Sequence, residues 1–89
     1  MKFRSMQAGP KMVALFIETK NKGYIYCGAI AHDSQKRGWT INIRKSYLDR
    51  KSATLREGVK IKDNAIDILV NEVKKLWQQD RFIDIKVAA

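Results

Sequence analysis

Catalytic and stapling chemistry is scarce in this sequence. One cysteine, Cys27, cannot form an internal disulfide, and neither it nor the single histidine, His32, has a partner at metal-ligand spacing. The five glycines are scattered at turns and strand edges instead of gathered into a phosphate-binding loop. The nine acidic residues are scattered along the chain, several beside basic residues or in caps, so no carboxylate pair is set up for acid and base work. His32 beside Asp33 has the makings of a base with its orienting acid, but in a polar run both read as solvated loop residues. No catalysis, no metal and no cofactor is expected. The apolar runs fall far short of the ~20 residues that a bilayer span needs, and Met1-Lys2-Phe3-Arg4 is not followed by an apolar signal core. With Cys27 read as a small buried hydrophobe, the expectation is a soluble, unexported chain in a reducing intracellular setting, cytoplasmic or associated with DNA.

What the chain does have is positive charge. Its 89 residues hold 18 Lys and Arg against 9 Asp and Glu, a formal charge of +9, on a composition that is 45% hydrophobic. That composition suits one small globular domain and excludes a multidomain enzyme. A chain this short buries only about 60% of the surface it exposes when unfolded, so pairing with a second copy would stabilise it appreciably. The cationic field concentrates polyanions, either nucleic acid or an acidic membrane surface, and is silent about fold.

Residues 1–11, with Gly9-Pro10 and little periodicity, read as a flexible basic arm. A domain follows over residues 12–80, and residues 81–89 form an extended C-terminal segment. Met12 to Glu18 is rich in strand formers and ends at the turn Lys20-Asn21-Lys22-Gly23. Tyr24 to Ala31 is a second strand, with Tyr24 and Tyr26 opposite Ile25 and Cys27 as candidate exposed rings. Trp39 to Arg44 alternates cleanly, Trp39, Ile41 and Ile43 on the buried face and Thr40, Asn42 and Arg44 on the other. Gly58 to Ile61 supplies a short fourth strand. The period then changes to that of a helix capped at Asp63 or Asn64 and ending near Gln79. Its apolar stripe, Ile66, Leu69, Val70, Val73, Leu76 and Trp77, is read as core or dimer interface. Four strands followed by a helix is an α+β pattern with an antiparallel sheet.

Basic residues interleaved with aromatics are the remaining signal. Lys20 and Lys22 occupy the first turn, Lys36 and Arg37 the second, and Arg44 the end of the third strand with Tyr47 just beyond. If those turns lie close together they make a basic rim around one sheet face. Cations meet phosphates while unpaired bases stack on aromatic rings, so this is a single-strand-binding surface in outline.

The run Ile41-Asn-Ile-Arg-Lys-Ser-Tyr-Leu-Asp49, followed by a polar link, Glu57-Gly-Val-Lys-Ile61 and an amphipathic helix, resembles the signature of the transcriptional Positive Cofactor Four family. The likeness spans about half the chain, from Trp39 to Leu76. It implies a helix-mediated homodimer with curved four-stranded sheets, binding single-stranded DNA or melted duplex largely without regard to sequence. It further implies that Arg44 meets backbone phosphate, that Tyr47 stacks on a base, and that Lys22, Lys36 and Arg37 fall at the family's basic positions. Glu57 departs from the pattern, standing where the family carries a lysine, so that Arg56 or Lys60 would take over that contact. The acidic regulatory arm of the eukaryotic members is missing, so their coactivator role does not follow. Tyr47 shares parity with Ile41 and Ile43, and only a bulge near Lys45 and Ser46 would let it and Arg44 both reach DNA; otherwise Tyr47 is a core or interface residue. Two other readings stand beside this one: a protein-interaction module using the sheet edge or the Phe82 to Val87 extension, and an RNA-binding domain.

Overall fold

The computed structural model describes residues 2–20, 23–44 and 52–78, and is an α+β fold. Five strands, β1 (Lys2–Gly9), β2 (Met12–Glu18), β3 (Tyr24–Asp33), β4 (Gly38–Arg44) and β5 (Ser52–Val59), precede one helix, α1 (Lys62–Gln78). The strands form one antiparallel meander in sequence order.

Two of the sequence expectations change here. The segment read as a flexible arm is a strand: residues 2–9 pair with β2 from Lys2 opposite Glu18 to Gly9 opposite Met12. An edge strand with its side chains mostly in water needs no apolar alternation, and Phe3 is the β1 side chain that packs against the core. The strand expected at Gly58 to Ile61 lies earlier, at Ser52–Val59, and Gly58, with a φ of 70°, sits inside it at the register shift opposite Trp39 and Ile41. Register shifts between Trp39 and Asn42 blur the alternation of β5, which still keeps Ala53, Leu55 and Val59 partly buried against the core.

The helix lies over one face of the sheet, across β4 with β3 and β5 to its sides. It begins at Lys62, ahead of the cap expected at Asp63 or Asn64. The Ala65 amide donates to the Ile61 carbonyl, so Asp63 sits inside the first turn, where its charge favours the helix dipole. Ala65, Leu69 and Val73, spaced four apart, are buried with Val13, Leu15, Ile17, Ile25, Cys27, Ile30, Ile41 and Ile43. Leu69 and Val73 are therefore committed to this chain's own core, where truncating such a residue to alanine costs about 2–5 kcal/mol. The other members of the stripe, Ile66, Val70, Leu76 and Trp77, are half-buried and pack against the same core.

A bulge in β3 interrupts its pairing with β2. Leu15 pairs with Gly28 and Phe16 with Tyr26, leaving Cys27 as the extra residue. Burial pushes the Cys27 thiol up to about 12, and its Sγ donates to the Leu15 carbonyl, so it behaves as an inert core group.

Candidate nucleic-acid interface

The pairing register places side chains on the helix-free face in rows that cross the strands, since directly paired residues share a face. One row runs Arg4, Phe16, Tyr26; its neighbour runs Met6, Ala14, Ala29, Asn42, Thr54. On the far side of the first row lie Lys2, Glu18 and Tyr24, and beyond the second lie Met12, Ala31 and Thr40.

The aromatic side chains in these rows meet. Phe16 packs edge-on against Tyr26, centroids 5.8 Å apart, and against Tyr24, 6.5 Å apart. The Arg4 guanidinium lies 5.3 Å from the centre of the Tyr24 ring, a cation over a π-face. Tyr24 is 42% exposed and Tyr26 half-buried. Desolvation is the main cause of the upward shift of the Tyr26 phenol, which stays a neutral donor at physiological pH. The combination is a ring cluster with cations at its margin, on the one sheet face the helix leaves uncovered.

Arg44 does not stand in that surface. It is 8% exposed, and its Nη1 donates to the Tyr26 carbonyl at 3.2 Å. The guanidinium thus ties the end of β4 to the β3 backbone at Tyr26, and Arg44 is not among the exposed cations of this face. Tyr47 and Lys22 lie outside the described residues.

Nor do the remaining cations form one rim. Alternate turns of a meander sit at opposite ends of the sheet, and a seven-residue strand separates those ends by about 20 Å. Lys20 lies at the β2–β3 turn, on the side of Tyr24 and Lys2. Lys36 and Arg37 lie at the β3–β4 turn, on the side of Lys11, whose carbonyl accepts from the His32 amide. Arg37, Arg56 and Lys60 are exposed. The Lys36 ammonium is paired with Glu57 at 2.5 Å, and that hydrogen bond is the main cause of its raised pKa. Both partners are nearly half exposed, so the pair adds little stability. Its effect is on charge, cancelling a cation that the sequence suggested for phosphate.

Toward the β3–β4 turn end of the same face lies an open depression of about 510 Å³ lined by Lys11, Lys36, Thr40, Asn42, Thr54 and Glu57 among others. The Thr54 hydroxyl donates to Asn42 Oδ1 at 3.0 Å.

His32 and Asp33 close β3 instead of lying in a loop. The Asp33 carboxylate accepts from the Gln35 amide at 2.9 Å, shaping the turn, and His32 stands edge-on to Trp39 at 5.3 Å. Among the described residues no group of three or more His, Cys, Asp and Glu is placed to hold a metal ion, and no helix is long and apolar enough to cross a membrane.

No protein-family model, no curated protein and no solved structure matches the chain significantly.

Sequence reasoning missed Phe16, Arg4 and Lys2. Phe16 hides in a continuous apolar run, where parity is legible only against the two tyrosines that face it in β3. Arg4 and Lys2 were assigned to a flexible arm and so had no face at all.

Proposed function

We propose that this chain is a non-enzymatic single-stranded-DNA-binding domain that works as a homodimer, with the helix-free sheet face as its interface. The observation that carries the proposal is the cluster of Phe16, Tyr24 and Tyr26 with Arg4 against it, on the uncovered face of a protein whose net charge is +9. Unpaired bases present flat faces to such rings, each stack contributing about 1–3 kcal/mol, whereas duplex keeps its bases stacked on one another. Cations at both ends of the sheet supply the backbone contacts, which makes binding depend steeply on salt. Anisotropy titrations of a labelled oligonucleotide at several salt concentrations test this reading. Single-stranded DNA should bind more tightly than its duplex, and equal affinity would contradict it. A parallel RNA oligonucleotide separates a DNA preference from a general one.

The Lys36–Glu57 pair yields a prediction of the opposite sign from most substitutions. Glu57→Gln removes a negative charge from the cleft and releases Lys36 to meet phosphate. Single-strand affinity at low salt should rise, and the slope of log affinity against log salt should steepen by about 0.7, one additional phosphate contact.

The dimer in this proposal uses the half-buried helix flank of Ile66, Val70, Leu76 and Trp77, together with Ile61, which is 58% exposed. Val70→Lys should leave a folded monomer by light scattering where the wild type has twice the chain mass; an unchanged wild-type mass would place the interface elsewhere.

A second reading is favoured by β1, an edge strand of eight residues with most of its side chains in water, open to a partner's strand. Under that reading deletion of residues 81–89 or occupation of the β1 edge governs partner capture, and the ring cluster is incidental.

A further inference from the structure

Resting on the single-strand reading of the open face, we infer that the cleft across β3, β4 and β5 is a base-reading site built on Asn42, which makes binding selective among unpaired bases.

Position is the first reason. Asn42 and Thr54 belong to the row next to Phe16 and Tyr26, two residues along the strands or about 7 Å. A strand stacked on the rings therefore brings its neighbouring nucleotide over the cleft. Ala31 pairs with Thr40 and puts only a methyl group on that stretch of the face, leaving room for a planar ring. The depression is shallow and open to solvent, and its volume of about 510 Å³ gives room for one base lying with a face in water.

Hydrogen-bond chemistry is the second. The bond from the Thr54 hydroxyl occupies Asn42 Oδ1 and fixes which way the amide is turned. The amide nitrogen is then the group left to donate into the cleft that Asn42 lines, while the Thr54 oxygen retains lone pairs that accept. A donor beside an acceptor at fixed spacing is what an asparagine uses to read a base edge. Bases differ in the order of donors and acceptors along their Watson–Crick edge, and that edge is available only when the base is unpaired. Lys11, at the mouth of the cleft, is placed for a flanking phosphate.

Short homopolymers of thymidine, cytidine and adenosine, titrated into the full-length wild type, Asn42→Ala and Thr54→Val at fixed salt, test the inference. The wild type should separate its strongest from its weakest homopolymer by about tenfold or more. Asn42→Ala should bring the three within about twofold while leaving the salt dependence unchanged, and Thr54→Val, which keeps its shape but frees the amide to rotate, should fall between. Thermal melting of each variant checks folding, and Thr54→Val carries the test alone if Asn42→Ala unfolds. Equal wild-type affinity for all three, or a preference that survives both substitutions, would overturn the base-reading site and leave the ring cluster standing as a sequence-blind platform. A wild type that binds no homopolymer would overturn both.

Discussion

Gly28→Ala is expected to lower the urea midpoint and the melting temperature more than any surface substitution in this chain. A β-carbon at that position would stand 2.6 Å from the Asn42 carbonyl oxygen and 2.9 Å from Leu69 Cδ1. The first neighbour is backbone of the central pairing and cannot rotate away; the second is a core side chain 1% exposed. Overpacking of this kind costs about 1–3 kcal/mol, a large share of the roughly 5 kcal/mol expected of a small domain. The melting temperature should fall by about 10 °C. Leu69→Ala combined with Gly28→Ala should be less damaging than the sum of the two, because removing the leucine relieves part of the clash. A Gly28→Ala protein that melts with the wild type would mean that the helix does not approach the sheet this closely.

Paired replacement of Phe16 and Tyr24 by alanine is expected to weaken single-strand binding about a hundredfold, since each ring lost removes about 1–3 kcal/mol of stacking. The change also deprives Arg4 of the ring it lies against. Both side chains are outside the buried core that α1 covers, so the variant should stay folded, which its melting curve checks. Phe16→Trp should restore most of the affinity, because stacking needs a flat ring and not a particular one. Wild-type affinity in the alanine pair would remove the platform from the account.

What the sequence revealed about the fold depended on burial. Trp39 to Arg44 was legible because one face is in the core and the other is not, and α1 because Leu69 and Val73 repeat at helical spacing against the sheet. The edge strand β1 was not legible, since water surrounds most of its side chains and imposes no pattern. The bulge at Cys27 and the positive φ of Gly58 likewise shift parity without a compositional mark. The residues of the proposed site were visible as types and not as a spatial arrangement. Basic and aromatic residues on a sheet were visible, but Arg44 is drawn inward by the Tyr26 carbonyl, Lys36 is neutralised by a residue 21 positions away, and the rings that meet come from strands whose pairing had first to be known. Long-range pairing is what a linear pattern does not carry.

The proposed binding face is tested most directly by two-dimensional amide NMR of the isotopically labelled protein as single-stranded oligonucleotide is added. Shifts should concentrate on β1, β2 and β3 around Arg4, Phe16, Tyr24 and Tyr26, and continue to Asn42 and Thr54, while the exposed side of α1 stays unmoved. Shifts confined to α1, or no shifts at all at low salt, would contradict the assignment of the helix-free face as a single-strand interface.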